Sequence, residues 1–440
     1  MKQFGRGFIL AISLFSTTSF AEDLLEVYNL ALKSDPELLA EIASRQAVGE
    51  LDAQSLALFL PQINLQGNTN KVDQDTSSSA IFDGDRDFNR HGYNLNITQP
   101  IFRKDNFVQR DKAEIAIDSA QASYQIVSQD LILRVADRYF DFLAKQDDLS
   151  FAIAEKESIA RQLDQAQQRF DVGAATITDV AESQAGFDLS HARLIEAENE
   201  LANSKERLYE TTGRSIDQVA PLQVEAEPVR PDPQSIDEWS QVALAQNPAM
   251  LVAHLAVKNA GQEIELQKSG HYPSLDLVGG QDYTSSSDGQ LGGAKTKELN
   301  IGLALNVPIY TGGAVVSRTR EATYRLDQVM QNEEQQRRLI YRQSRVAYNN
   351  VISGVSRVKA LKQAVISSER AFESTEAGYE VGTRTTVDVL NVRRNLFSAR
   401  RDYAIARYQY IVATLRLKQA AGTVSSEDLA KINAWMSAPN

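Results

Sequence analysis

The chain is built from two copies of one long unit. Arg169-Phe170-Asp171-Val172-Gly173, followed by Thr178-Asp179-Val180, returns as Gly378-Tyr379-Glu380-Val381-Gly382, followed by Val387-Asp388-Val389. Each copy then runs 40 residues from that glycine to a closing glycine, Gly213 and Gly422. Upstream, Asp35-Pro36 and Pro61 to Leu65 match Asn247-Pro248 and Pro273 to Leu277 at an offset of 212, and Pro100-Ile101-Phe102 matches Pro308-Ile309-Tyr310 at 208. An offset that drifts by so little marks a duplicated supersecondary unit and asks what the two copies enclose together.

Each copy reads as helix, strand, strand, very long helix, helix. The opening helices are expected from about Asp23 to Leu58 and from about Ile236 to Gln267. Proline marks the joints, because it ends a helix upstream and withholds a ladder donor at a strand end. Pro61 and Pro273 stand where helix passes into strand, Pro100 and Pro308 where strand passes back into helix. Between them the apolar period becomes two, as in Ile63 and Leu65, in Tyr93, Leu95 and Ile97, in Leu275 and Leu277, and in Leu299, Ile301, Leu303, Leu305 and Val307. Such alternation predicts strands with one apolar face, over about 61–72, 91–100, 273–284 and 297–308. The Ser-, Gly- and Asp-rich stretches Lys71 to His91 and Thr284 to Lys297 read as exposed loops.

From Ile101 to Val172 there is neither glycine nor proline. Within that run Ile132, Val135, Tyr139, Phe142, Leu149, Ile153, Ala160, Leu163 and Phe170, with Gln146, Lys156 and Gln167 as polar interruptions, follow steps of three and four, which predicts a coiled-coil seam. Leu390, Phe397, Ala404 and Ile411 repeat at strict sevens in the second copy. Two helices joined by a glycine turn pack antiparallel, so each copy ends in a long hairpin, with tips near 171–176 and 380–385. The expected organisation is a secretory signal over 1–21, a first repeat over 22–219, a proline-rich linker over 220–235, a second repeat over 236–422 and a C-terminal segment over 423–440, helical near Glu427 to Trp435.

The signal reading rests on Lys2 and Arg6, the apolar run Phe8 to Phe15, and the small-x-small site Ser19-Phe20-Ala21. No other segment approaches the roughly 20 apolar residues of a spanning helix. Loss of the signal's two positive charges takes the net charge from -12 to -14. That acidity argues against nucleic acid as a partner. There is no cysteine, so an exported chain of this kind must be held by packing or assembly.

Catalytic readings find little to use. His91, His191, His254 and His271 lack metal-ligand spacing, and Gly279-Gly280, Gly292-Gly293 and Gly312-Gly313 lack the lysine of a phosphate loop. Asp147-Asp148 reads as an exposed helix face, and Arg393-Arg394 and Arg400-Arg401 as solvated flanks of a coiled coil. No active site, metal or cofactor is expected.

Four half-apolar strands do not close a barrel. Two chains would supply eight strands and a filled interior, whereas three would supply twelve and leave room for a channel. Half-polar strands with long coiled coils also fit a periplasmic structural protein that never enters the membrane. Both readings stand on periodicity alone.

Asp35-Pro36-Glu37-Leu38, Leu60-Pro61-Gln62, Arg169 to Gly173, Ile177-Thr178-Asp179-Val180 and Gly378 to Thr385 stand in an order that closely resembles the TolC family of outer-membrane exit ducts. The resemblance spans essentially the whole chain after the signal. It implies a membrane α+β fold: a homotrimeric twelve-stranded β-barrel, four strands per chain, in outer-membrane lipid. That barrel would be continuous with a long α-helical barrel of coiled-coil hairpins in the periplasm and ringed by a mixed equatorial domain. It further implies a non-enzymatic duct that receives drugs or secreted proteins from an inner-membrane transporter through a periplasmic adaptor. By the same resemblance Tyr379 bonds Asp179 and Arg384 ties to Thr178 at a constriction that opens by iris-like movement of the hairpins. Asp388 faces the lumen, and Asn391 stands where the family often has a second aspartate. Val172, Gly173, Ala174, Val381, Gly382 and Thr383 form the tips that meet the adaptor. Gly173 and Gly382 are explained by tight turns alone, and Asp179 with Thr178 by an N-cap.

Overall fold

The computed structural model describes residues 22–76, 84–223, 227–288 and 292–436. The signal segment 1–21 lies outside them, as do 77–83 and 289–291 of the strand connections, 224–226 of the linker and the last residues, 437–440. The chain forms two compact units. One takes residues up to Leu39, Ser128–Trp239 and Ser344 onward; the other takes Ala40–Val127 and Ser240–Gln343.

The opening segment is not one helix. Helices α1 (Leu24–Ser34), α2 (Pro36–Gly49) and α3 (Leu51–Ala57) replace the single helix expected from Asp23 to Leu58. Asp35 is extended, at φ -65° and ψ 117°, because the following proline ring crowds a helical residue before it. Its carboxylate accepts the backbone N–H of Leu38 at 2.9 Å, so the break restarts a helix at once. The second copy does the same between α6 (Ile236–Gln246) and α7 (Pro248–Ser269), where Asn247 is extended and accepts from Ala249 N at 2.9 Å. A capping residue before proline is thus a stop and a start in both copies.

In the second unit, β1 (Gln62–Thr76), β2 (Gly84–Phe102), β3 (Ser274–Ser286) and β4 (Ala294–Asn306) form one antiparallel meander in chain order. Much of what reads as loop is paired strand: Lys71 lies opposite Asn89, Asp75 opposite Asp85, and Ser285 opposite Lys295. Apolar alternation fades where both faces are polar, but backbone pairing continues without it.

The register gathers the apolar residues on one face. Ile63, Ile97, Gly279 and Ile301 form one row, and Leu65, Leu95, Gln281 and Leu299 the next. The other face carries Asn64, Asn96, Gly280 and Asn300, then Gln66, Asn94, Asp282 and Glu298. Space is tight at Gly280, where a Cβ would sit 3.0 Å from Asn300 Oδ1 and 3.1 Å from Asn96 Oδ1, and glycine is required at 92, where a Cβ would overlap the backbone oxygen of Tyr283. The apolar face is bare: Leu299 is 84% and Ile301 81% exposed. Strands β1 and β4 are both edges, each offering an unpaired row of backbone groups. A single sheet of this kind is unfinished on one face and at both edges.

Strand passes to helix over a built joint. Arg103 donates through Nε and an Nη to the two oxygens of buried Asp276, at 2.9 and 2.7 Å. Helix α4 (Lys104–Asp171) follows, 68 residues and about 100 Å long at about 1.5 Å per residue. Helices α5 (Ile177–Thr212), α8 (Ala314–Glu380), α9 (Thr386–Ala420) and α10 (Ser426–Asn433) complete the described set. Among the described residues no helix is long and apolar enough to cross a membrane.

The first unit holds the densest core, with Leu131, Val135, Tyr139, Phe140, Phe142 and Leu143 of α4 buried alongside Leu24 and Val27 of α1 and Ile411 and Leu415 of α9. Tyr139 donates its hydroxyl to Ala220 O at 2.9 Å, and Leu222 bridges to Met436, so linker and tail meet in a short antiparallel contact. The expected α4 seam holds through Phe142 and then shifts. Beyond it the buried positions are Ala152, Glu155, Ile159, Gln162 and Ala166, while Ile153 is 42% and Phe170 37% exposed. Both sets follow heptad steps on adjacent faces of one helix. The covered face combines Ile159 with small Ala152 and Ala166 and polar Glu155 and Gln162, while the more apolar face stays partly open in a single chain.

Candidate functional site

The two hairpin tips are the same object built twice. Helix α4 ends through Gly173 at φ 75°, with Ala174 N donating to Arg169 O at 2.7 Å; α8 ends through Gly382 at φ 77°, with Thr383 N donating to Gly378 O at 2.8 Å. A side chain is strained at such φ, so both turns call for glycine. Three residues later a threonine starts the next helix. Thr176 Oγ1 accepts Asp179 N at 3.2 Å, while Asp179 Oδ2 accepts Thr176 N at 2.9 Å and its hydroxyl at 2.7 Å. Thr385 and Asp388 repeat this box at 3.0 to 3.2 Å. Backbone hydrogen bonds from Thr176 and Thr385, followed by their hydroxyls, hold the Asp179 and Asp388 carboxyls below the usual aspartate range. Both are ionised at neutral pH.

The cap is therefore Thr176, not Thr178, and Thr-x-x-Asp is the signal that locates it. Thr178 is exposed. Asp179 also reaches the other hairpin, where its Oδ1 accepts the hydroxyl of Thr386 at 3.1 Å. Thr386 is only 1% exposed, yet its counterpart in the first copy is the exposed Ile177. This cross-hairpin link escapes a reading by repeat, because it uses a position where the copies differ.

The remaining expected groups are not joined within one chain. With Asp179 engaged by Thr176 and Thr386, Tyr379 lies instead under the Arg169 guanidinium, 5.0 Å from ring centroid to Cζ. Arg384 folds back along α8, its Cγ 2.8 Å from where a Cβ on Gly378 would sit. No contact between Arg384 and Thr178 is present among the described residues of the single chain. Val172 and Val381 are 79% and 75% exposed, and Gly173, Ala174, Gly382, Thr383 and Asn391 are exposed as well.

Of the groups read as solvated, Arg393 is interior and Asp147 is half-buried. Arg393 of α9 is 5% exposed; it donates to Ser158 O of α4 at 2.8 Å and to Glu376 of α8 at 3.2 Å, and lies 5.1 Å over the Phe372 ring. Burial pulls its pKa below the ordinary arginine value, opposed by Glu376. The misreading comes from its neighbour Arg394, which is exposed as expected. Asp147 likewise is no open surface residue: it accepts the Tyr408 hydroxyl at 2.6 Å, and burial raises its pKa against the pull of Tyr408 and Arg407. Asp148 pairs with Arg193 at 3.1 Å. A raised carboxyl pKa weakens the fold at neutral pH and returns stability as pH falls through it. Asp147→Asn keeps an acceptor for Tyr408, so it should melt higher than wild type at pH 7, with the gain shrinking as pH approaches the ordinary aspartate range. Calorimetry across pH checks this.

The duplicated hairpins and bare sheet have a known counterpart. The model of the outer membrane efflux protein family matches residues 27–214 and 239–423, one stretch per copy. The chain belongs to the outer membrane efflux protein family. It is 38% identical over 431 residues to outer membrane protein TolC of Vibrio cholerae, covering 97% of this chain and 96% of that protein. It is 30% identical to the alkaline protease secretion protein AprF of Pseudomonas aeruginosa, covering 96% and 89%. In structure it resembles the Campylobacter jejuni CmeC outer membrane channel, with a TM-score of 0.78, 16% identity, and 99% and 98% of the two chains covered. As an efflux-family protein this chain is an exit duct of the outer membrane, with the fold of the TolC-like channels. The alternative of a structural protein that never enters the membrane falls with that placement. The relatives are channel and secretion proteins rather than enzymes.

Proposed function

We propose that three copies of this chain close a passive duct that conducts drugs, small toxic molecules or secreted proteins out of the cell. The observation that carries this reading is the four-stranded sheet with two open edges and one bare apolar face. Three such sheets make a twelve-stranded barrel, which removes every edge, turns the apolar face to lipid and leaves a polar lumen. The long hairpins extend the tube through the periplasm. An adaptor meets Val172, Gly173, Ala174, Val381, Gly382 and Thr383, and an inner-membrane transporter supplies the energy. The chain performs no chemistry and needs no cofactor.

At the closed end, neighbouring hairpins meet through Tyr379 and Arg384, whose side chains make no hydrogen bond among the described residues of one chain, and through the acceptor capacity that the Asp179 carboxylate keeps beside Thr176 and Thr386. Arg384 ties to Thr178 of the next copy, and Tyr379 reaches the Asp179 carboxylate. Individual polar links of this kind contribute about 0.5–3 kcal/mol. Adaptor binding can therefore outcompete them and let the hairpins open as an iris. Threefold symmetry sets Asp388 in a ring of three carboxylates, which favours cations. With Asn391 in place of a second acid, the ring is single and the preference moderate.

Membrane flotation and planar-bilayer recording test the whole reading. The purified chain should enter the outer-membrane fraction and open discrete channels; a chain released with the soluble periplasm would overturn it. Asp388→Ala should shift the reversal potential under a salt gradient toward non-selectivity. Ile301→Lys should cost about 2–4 kcal/mol per chain if that position sits near mid-membrane, seen as loss of folded trimer, whereas Asn300→Lys on the opposite face should be tolerated.

A further inference from the structure

We infer that the barrel holds phosphate-bearing lipid headgroups at the outer rim of its apolar face, through Lys295 and Lys297 beside the Tyr93–Tyr283 stack. This rests on the proposal that the helices lie on the periplasmic side, so that the strand ends remote from them face outward. The placement follows from register. Lys297 lies opposite Tyr283, which lies opposite Tyr93; the next row outward joins Lys295, Ser285 and His91. Alternation puts all of these on the face of Leu299, Ile301, Leu303 and Leu305.

The height is right for a headgroup. Ten residue steps separate Val307 from Lys297. At about 3.3 Å per residue and a tilt of about 40°, they rise roughly 25 Å, the height of a barrel's apolar band. The two tyrosine rings stack at 5.3 Å, an aromatic pair at the position where an interfacial girdle belongs. Lys297 stands in the same row as the pair and Lys295 one row beyond it; both are exposed, and among the described residues neither makes an ion pair. Lys71, one row further out, is already held by Asp87 at 2.7 Å. Asp282 and Glu298 fall on the opposite, lumenal face by alternation. The pairs Asp73–Asp87 and Asp75–Asp85 lie still further out along the β1–β2 ribbon.

Two uncompensated cations next to an aromatic pair, at the edge of an apolar band, suit the phosphate of an anionic headgroup in the outer leaflet and gain nothing from a zwitterionic one. The phosphate would lie between the ammonium groups, with its acyl chains along Leu299 and Ile301.

The test uses the purified full-length protein, wild type, Lys295→Gln/Lys297→Gln and Lys295→Arg/Lys297→Arg. Each is reconstituted in phosphatidylcholine vesicles containing diphosphorylated or dephosphorylated lipid A, re-extracted and weighed with its bound lipid by native mass spectrometry. Wild type and the arginine variant should retain the diphosphorylated lipid, and the glutamine variant should bind it about thirtyfold more weakly. The dephosphorylated lipid should be retained equally and weakly by all three. Equal retention of the diphosphorylated lipid by wild type and glutamine variant overturns the inference while leaving the duct reading intact. If no variant floats with vesicles, the membrane-barrel reading fails and this inference with it.

Discussion

Exchanging Tyr379 for Phe and Arg384 for Ser together is expected to raise single-channel conductance in planar bilayers while leaving the assembled trimer intact. Among the described residues neither side chain makes a hydrogen bond within one chain: Tyr379 underlies Arg169, and Arg384 lies along Gly378. Their bonding capacity is therefore available to a neighbouring hairpin. Loss of two charge-assisted hydrogen bonds, one to the ionised Asp179 carboxylate and one from the Arg384 guanidinium, removes roughly 3 kcal/mol of closure or more per interface. Every 1.4 kcal/mol is tenfold in an equilibrium, so the closed state should lose its advantage by about two orders of magnitude. The capping boxes Thr176–Asp179 and Thr385–Asp388 are untouched, so the tips themselves should keep their shape. Intact trimers with unchanged conductance would place the gate elsewhere.

Arg393→Ala should be the most destabilising single change in the hairpins, by about 2–4 kcal/mol. The arginine joins three helices at once, through Ser158 O on α4 and Glu376 on α8 from its own place on α9. Its removal takes from Ser158 O its second, charge-assisted donor and opens a cavity beside Phe372. Glu376 is half exposed and recovers water, which keeps the cost below that of a fully buried pair. Hydrogen exchange should accelerate around Ser158 and along the first turns of α9, and Arg393→Met should restore part of the loss by filling the volume. Melting and exchange equal to wild type in Arg393→Ala would show that the guanidinium contributes nothing net.

How far the sequence reveals this molecule depends on what each feature needs from other residues. Strand faces were legible because alternation is local: Leu299, Ile301, Leu303 and Leu305 announce one face without reference to any partner. Where both faces are polar, as at Asp73 to Asp75, the pairing that makes a strand has no local signature. The helix breaks at Asp35-Pro36 and Asn247-Pro248 are written in the chain, since proline restrains the residue before it. Arg393 shows the opposite limit. Nothing in its local charge distinguishes it from exposed Arg394, and only the approach of α4 and α8 makes it interior. The Asp179–Thr386 link was hidden for the same reason, as it joins residues 207 apart at a position where the copies diverge.

Electron cryomicroscopy of the detergent-purified protein tests the central claim most directly, because a third of a duct has no reason to exist alone. Three chains around one axis, with β4 of each paired to β1 of the next and the hairpins continuing as a hollow tube, is the predicted result. Monomers, or a dimer with a filled eight-stranded barrel, would contradict it.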